Sequence, residues 1–566
     1  MRTPYDERPW LRFYPEGVPA DVEVPDVPLT RLLDASADRF PTHRALEFLG
    51  RSMTYARLRD TVDRFATALA GLGVRKGDRV AVILPNCPQE VIAFYAVLRL
   101  GGIVVPTNPL YTPSELRHQL ADSGSRVAIV FDKAYETLHE AIPGTVIEHI
   151  IVTSLPDYLP FVKRELLKLP TAKARRLAAE LSTELPAEAP VLWFDDLLKE
   201  APEAHPQAMI DPLRDLAVLQ YTGGTTGRPK GAMLTHRNLV ANALQTTAWD
   251  PAIRPGQDVT LAVVPLFHVF GLTFCLTCTI LIGGTVVLIP RFDLDLVLDA
   301  IHKHKPTLFP GVPTLFQQLA AAPESKKAGV GSIRSCVSGA MRLARTTVEA
   351  FKAGTGGQVI QGYGMTETSP VIMANPLDGN ARHVSVGTPL PSTEARIVDE
   401  NAPSRILPVG YPGEVVVRGP QVFAGYWGQP AESAEALSPD GWFRTGDIGV
   451  MSPDGYFTLI DRKRDVVIVD GFNVYPSEVE AVLQAHPAVE EAAVVGIPDP
   501  GHGEAVAAYI VLKQGHQPSP QEIRGYCAQH LVGYKVPLFV EFRPSLPRTM
   551  LGKVLRRVLR EENALS

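Results

Sequence analysis

Compact apolar runs alternate with amphipathic stretches along most of the chain, and the alternation has a repeating order. Leu29 to Phe40 and Thr54 to Leu72 space their apolar residues as helices do. Val80 to Leu84 is a short continuous apolar run, the mark of a buried strand, and Pro85 and Asn86 turn the chain after it. A helical stretch around Glu90 to Leu100 stops at Gly101 and Gly102, and Ile103 to Val105 starts another strand. This is a βαβ pattern, which predicts parallel strands. The same order returns at Leu261 to Val264 (strand), Pro265 (loop), a hydrophobic helix, Gly283 and Gly284, and Thr285 to Ile289 (strand). Two related α/β halves of one large domain are expected, with a ligand cleft between them.

Beyond residue 380 the texture changes. Short β-rich runs such as Glu414 to Arg418 alternate with Gly/Pro turns and predict a small barrel or distorted sheet. After Asp461 it changes again: Val466 to Val469, Glu491 to Gly496 and Ala505 to Leu512 read as strands, Ser477 to Gln484 and Pro520 to His530 as helices. The expected fold class is therefore α/β. A large N-terminal domain (1–461) of two βαβ-type sheet halves and a small β-barrel-like subdomain precedes a small α+β C-terminal domain (462–566). The junction, Asp461 to Asp465, is charged as a solvated hinge would be.

Two stretches call for a decision about membranes. Val259 to Pro290 holds no Asp, Glu, Lys or Arg and is long enough to span a bilayer. Pro265, His268, Gly271, Gly283 and Gly284 divide it, so a buried strand, loop, helix and strand is the better reading. Residues 161–177 carry basic side chains at 163, 164, 168, 173, 175 and 176 against one acid, Glu165, interleaved with Phe161, Val162, Leu166, Leu167 and Leu169. Such a segment can rest on an anionic membrane surface or be a solvated excursion broken by Pro170.

Composition narrows the classes. The 566 residues are too many for one compact domain, and 45% apolar with 20% charged content is that of a globular protein. A net charge of −6 provides no basic field for nucleic acid. Five cysteines are sparse and odd in number, as in a reducing compartment, and Cys275 and Cys278 have no second Cys/His pair to complete a metal site. The N-terminus has mixed charge and no apolar core of a signal peptide. A cytoplasmic location is expected, and 161–177 is the segment that would make any peripheral contact at the inner membrane face.

The candidate chemistry lies in five motifs. Tyr221 to Gly231 reads YTGGTTGRPKG, in which glycines let backbone N–H groups approach a ligand, threonines add donors and Lys230 adds charge, a combination suited to phosphate. Pro229 stands where a P-loop needs glycine. Gln361 to Thr368 reads QGYGMTET and places the Thr366 hydroxyl beside the Glu367 carboxylate, a hard-oxygen pair of the kind magnesium needs; taken alone, it reads more often as a surface turn. In DGWFRTGDIG (440–449), Asp447 can accept hydrogen bonds from two ribose hydroxyls. DRKRDVVIVDGFNVYPSEVE (461–480) and PRTMLGKVLRRVLR (547–560) follow, the latter with Lys553 behind a glycine.

Together and in this order the motifs resemble the acyl-adenylate-forming superfamily of acyl-CoA synthetases, luciferases and peptide-synthetase adenylation domains, from about residue 25 to 560. NPLYTPSELRHQL (108–120), DGFNVYPSEVE (470–480) and the continuous 440–471 stretch are most similar to fatty acid CoA ligases, the bacterial long-chain enzymes in particular.

The resemblance implies ATP, Mg2+ and coenzyme A as cofactor and co-substrates, with fatty acid attacking the α-phosphate to give acyl-AMP and pyrophosphate before the C-terminal domain swings and the coenzyme A thiol attacks. Thr222, Gly223, Gly224, Thr225, Thr226, Gly227 and Lys230 would form the loop on the β- and γ-phosphates. Glu367 would hold the metal and Thr366 would touch phosphate. Gly339, Ala340, Met341, Gln361, Gly362 and Tyr363 would bracket adenine, with Asp447 and Arg462 at the ribose. Lys553 would steady the carboxylate and α-phosphate, with His268 near the adenylate; a lone His in an apolar run is equally a hydrogen-bonded core residue. Phe267, Phe270, Gly311, Val312, Val337 and Gly364 would face the acyl tail. Gly471 and Phe472 would line the pantetheine path, and Arg464 falls at a hinge position where lysine or aspartate is more usual. A monomer or homodimer is expected. Medium-chain and aryl acids, an acyl-AMP ligase that stops before coenzyme A, and a non-catalytic membrane-associated scaffold of the same fold are the alternatives. Tunnel depth would decide chain length, at about 0.8 kcal/mol per buried methylene.

Overall fold

The structure is a computed structural model that describes residues 3–222, 229–470, 472–499, 503–549 and 551–564. Gly223, Gly224, Thr225, Thr226, Gly227 and Gly471 lie outside the described residues.

The first apolar runs form a seven-stranded sheet. In spatial order it runs Leu192–Trp193, His149–Thr153, Val127–Phe131, Arg79–Ile83, Ile103–Pro106, Leu216–Thr222 and Lys230–Thr235. All neighbours are parallel except the last pair. Val80, Ala81, Val82 and Ile83 are all buried, as are all four residues of Ile103–Pro106, which is why these strands read as unbroken apolar runs. The helix between them, Pro88–Arg99, is buried at every position and packs on both strands and on the helix Tyr55–Gly71.

A nine-stranded sheet is built from the second repeat of the pattern. Its order is Thr388–Pro389, Val371–Ala374, Val359–Gly364, Ser335–Ser338, Leu308–Gly311, Val259–Ala262, Thr285–Leu288, Arg44–Phe48 and Arg51–Thr54. From Val359–Gly364 to Arg44–Phe48 every pair is parallel. One apolar cluster joins the two sheets. The uncharged run divides as the sequence predicts, into strand, loop, helix and strand, and its helix opens with a π-helical stretch, Gly271–Thr277. Among the described residues no helix is long and apolar enough to cross a membrane.

Of the two forms expected beyond residue 380, a sheet is found: four antiparallel strands in the order Glu394–Val398, Gly413–Arg418, Phe443–Met451 and Phe457–Arg462. The last region is a separate sheet of Phe472–Val474, Val467–Val469, Gly503–Leu512, Val489–Asp499 and Phe539–Phe542, backed by the helices Pro476–Ala485, Pro520–His530 and Arg556–Ala564. Its main apolar cluster begins at Val467 and draws on nothing earlier in the chain.

Within the junction, Asp465 alone departs from the expected solvation. Asp465 is buried, accepts from Arg560 Nη2 at 2.9 Å and lies 3.6 Å from Arg556 Nη1. Asp461 Oδ2 accepts from the Ser477 backbone N–H at 2.8 Å. Opposite charges on a neighbouring element neutralise Asp465, so it need not face water.

Candidate active site

Parallel strands bring their carboxyl ends to one edge, and the motif residues leave from those ends. Thr222 ends Leu216–Thr222 and pairs across the antiparallel ladder with Lys230. Pro265 to His268 follow Val259–Ala262, Gly311 ends its strand ahead of Val312, and Gly339, Ala340 and Met341 follow Ser335–Ser338. Gln361, Gly362, Tyr363 and Gly364 belong to Val359–Gly364, which runs directly into Thr366 and Glu367.

Lys230 is buried, ion-paired with Glu432, and its ammonium sits 5.4 Å from the centroid of the Tyr426 ring. Burial pulls its pKa down, against the fields of Glu435 and Glu367. Tyr426 Oη donates to Glu367 Oε1 at 2.8 Å, and among the described residues no donor meets Oε2. One aromatic ring thus links the loop lysine to the motif carboxylate. No sequence motif marks Tyr426 or Glu432; Gly425-Tyr426-Trp427 between two turns is the nearest signal.

A second cluster forms where the nine-stranded and four-stranded sheets meet. Asp447 is buried, accepts from Tyr363 Oη at 2.7 Å on Oδ2 and lies 3.1 Å from Arg462 Nε on Oδ1. Asp447 and Arg462 are paired across adjacent strands, so the ion pair follows from the register. Lys553 reaches the same cluster from the C-terminal region. Its ammonium is pushed down to about 8, first by burial and then by Arg462, while Asp447 acts the other way. The loop carrying it is closed by Thr549 N–H to the Lys553 carbonyl at 2.8 Å, and a Cβ on Gly552 would come within 3.2 Å of Met341 Cε. The C-terminal loop therefore sits on Met341, one of the residues expected to bracket adenine.

His268 is half-buried, and burial pushes it down to about 4, so it is neutral at ordinary pH. The Phe270 N–H donates to its Nδ1 at 3.2 Å, which places the ring proton on Nε2 as a donor. Asn86 positions the preceding loop: Oδ1 accepts from Leu266 N–H at 2.8 Å, and Nδ2 donates to the Ala262 and Val264 carbonyls. Asn86 reads as a turn residue in the sequence; its buried amide here ties the two sheets together.

Of the expected acyl-facing residues, Phe270 packs against Gly339, where a Cβ would lie 3.0 Å from its ring, and meets Phe274 edge-on at 5.1 Å. The Phe267 carbonyl accepts from Gln220 at 2.9 Å. Gly362 adjoins Val337. Gly311 faces Leu315 and Phe316, and Gly364 faces the Pro370 carbonyl, 2.0 Å from where a Cβ would stand, so both serve close packing of the protein on itself. Ala340 takes a left-handed φ of 67° as an exposed residue, a strained backbone of the kind that collects at functional sites. Phe472 is exposed and stacks on Tyr534 at 4.8 Å, away from the Asp447 cluster, whereas Arg464, exposed beside Asp465, lies within the fields of Asp447, Arg462 and Lys553.

A doubly wound sheet pair with a glycine–threonine loop, a carboxylate and a lysine from a separate C-terminal unit defines the class. The chain belongs to the AMP-binding enzymes: residues 33–427 match that family, and 478–553 match the AMP-binding enzyme C-terminal domain. Among its relatives, a long-chain-fatty-acid–CoA ligase of Bacillus subtilis (strain 168) is 43% identical over 557 residues, 98% of each chain. A feruloyl-CoA synthase of Amycolatopsis is 35% identical over 521 residues, 92% of this chain and 96% of its own. The crystal structure of ATP-bound MatB from Rhodopseudomonas palustris matches with a TM-score of 0.81 at 31% identity, over 95% of this chain and 99% of that one.

Proposed function

We propose that the protein is a long-chain fatty acid CoA ligase, which joins a fatty acid to AMP with release of pyrophosphate and then passes the acyl group to coenzyme A. The observation that carries this reading is Lys553: a lysine of the C-terminal region lies in the field of Asp447 and Arg462, with its loop on Met341. A carboxylate approaching a triphosphate is repelled unless cations stand where charge develops. In this reading Lys553 bridges carboxylate and α-phosphate, Lys230 and the loop 222–229 hold the β- and γ-phosphates, and Asp447 and Arg462 hold the ribose. The boundary at 461/462, with a hinge over 461–465, lets Lys553 leave once adenylate is made. Acyl-AMP is a reactive anhydride, so a closed site protects it from water.

Glu367 and Thr366 fit a magnesium ion, because Glu367 Oε2 has no donor among the described residues and the Thr366 hydroxyl stands next to it in sequence. When bound, the ion would neutralise phosphate charge. His268, neutral and donating from Nε2, would hydrogen-bond an acyl or phosphate oxygen near Phe267 and Phe270. The long-chain preference is supported by the relatives' names, since 43% identity to a fatty acid ligase exceeds 35% to the feruloyl enzyme.

Peripheral membrane contact through 161–177 belongs to the same reading. Phe161, Val162, Leu166, Leu169 and Leu177 are exposed among the basic residues of two short helices, Phe161–Leu167 and Ala172–Leu181. Five free, buried cysteines suit a cytoplasmic enzyme. Fatty-acid-dependent ATP–pyrophosphate exchange, followed by thioester formation across acids of increasing length, tests the activity. No exchange with any acid overturns it; exchange with only aryl or short acids overturns the substrate class. Co-sedimentation with anionic vesicles that survives neutralising the six basic residues would remove the membrane contact.

A further inference from the structure

The NPLYTPSELRHQL stretch, residues 108–120, has no task in the chemistry above, yet the helix it enters reaches the phosphate loop twice. That helix, Pro113–Ser123, begins with a capping box between Thr112 and Glu115 and ends at Gly124 in a left-handed conformation, so its length and phase are set at both ends. Leu116, Gln119 and Leu120 face inward and are buried. His118 and Asp122, four residues apart, share another face.

Each meets one end of the glycine–threonine loop. His118 Nε2 lies 3.1 Å from the Pro229 carbonyl oxygen; a carbonyl only accepts, so Nε2 carries the proton. Pro229 and Lys230 share that peptide plane, and the bond therefore sets the direction from which the lysine departs. At the other end Tyr221 Oη donates to Asp122 Oδ2 at 2.5 Å. The Asp122 carbonyl also accepts from Trp427 Nε1 at 3.2 Å, and Trp427 N–H in turn donates to the Gly231 carbonyl at 2.8 Å. Gly231 admits both side chains: a Cβ there would lie 3.3 Å from Tyr221 Cζ and 3.4 Å from Trp427 Cβ. Tyr221 pairs with Gly231 and Thr222 with Lys230 in the strand ladder, so the two anchors stand on either side of the last pair before the loop.

We propose that His118 and Asp122 are positioning residues for the ATP half-reaction. One rigid helix holds both ends of the loop and aims Lys230, without itself touching substrate. The inference rests on the reading of Lys230 as a phosphate ligand. Small misplacements of a binding group are costly in rate, about 100-fold for an ångström, which a lost anchor can approach.

The test compares His118→Gln, which keeps an N–H donor, with His118→Leu, which has none, and Asp122→Asn, which keeps an acceptor, with Asp122→Ala. Acid-dependent ATP–pyrophosphate exchange and thioester formation from preformed acyl-AMP and coenzyme A are measured on the full chain, with Tm alongside. The expected result is exchange reduced roughly 10-fold or more in the Leu and Ala variants, restored by Gln and Asn, and thioester formation from acyl-AMP within about twofold of the unmodified protein throughout. Equal loss of both half-reactions, or exchange equal in His118→Gln and His118→Leu, overturns the inference. Absence of exchange in the unmodified protein overturns the functional reading itself, which keeps the two failures apart.

Discussion

Tyr363 and Asp447 are joined by a 2.7 Å hydrogen bond that crosses from the nine-stranded sheet to the four-stranded sheet, 84 residues apart in sequence. Burial and the neighbouring carboxylate hold the phenol well above its ordinary pKa, so it stays a donor, and Arg462 takes the other carboxylate oxygen. Asp447 is thereby fixed in place for any further partner. Tyr363→Phe is expected to raise KM for ATP by about tenfold or more, because a hydrogen bond to a charged group is worth about 1.5–3 kcal/mol. Acyl-AMP carries the same adenosine, so its KM in thioester formation should rise as well, while kcat stays near that of the unmodified protein.

Lys553 should impose an alkaline limit on the first half-reaction. Its ammonium is lost as pH rises through about 8 in the free enzyme, so kcat/KM for exchange should fall there. Bound triphosphate and carboxylate favour the charged form, so the fall in kcat should lie at higher pH. Stability runs the other way: an unfolded lysine keeps its proton to about 10.5, and the cost of burying charge is relieved between about 8 and that value. Lys553→Ala should abolish exchange yet still convert acyl-AMP to thioester. His268, pushed down to about 4, should contribute no limb near neutrality.

With Lys230 read as a phosphate ligand, Glu432 would compete with ATP for it. The ion pair must open before the lysine meets phosphate, so Glu432→Gln should lower KM for ATP by about two- to tenfold, the range of a partly buried pair rather than an exposed one. Isothermal titration with ATP measures the same quantity without turnover. Unchanged affinity would show that the pair opens at no cost.

Gly271→Ala tests the packing that holds the His268 loop. A Cβ at 271 would sit 2.1 Å from the Pro265 carbonyl oxygen, and both partners are backbone. The helix would have to move, at a cost of about 1–3 kcal/mol. Denaturant unfolding measures that loss, and exchange activity should fall with it because His268 lies between the two contacts.

Much of the architecture is legible in the sequence because buried parallel strands and amphipathic helices have distinct periods. Val80 to Leu84 and Ile103 to Val105 announce a βαβ unit, and Pro520 to His530 marks a helix to the residue. The site motifs are legible for a different reason: glycines and charges cluster where backbone must approach a ligand. Tyr426, Glu432 and Asn86 escape that reading, since a tyrosine beside a turn or an asparagine after a strand has many ordinary explanations. Asp465, within the charged junction, misleads for a similar reason. Charge predicts solvent only while its partner is unknown, and Asp465 finds its arginines about ninety residues later, at Arg556 and Arg560.

Fold class, family and candidate site residues are readable from the sequence alone, because local periodicity and motif composition are encoded over short spans. Only the tertiary structure decided which of those residues meet. Lys553 in the field of Asp447, Tyr426 between Lys230 and Glu367, and one helix bonded to both ends of the loop are contacts between segments tens to hundreds of residues apart. Such contacts depend on strand order and register, which set where carboxyl ends converge, and no short stretch of chain contains that information.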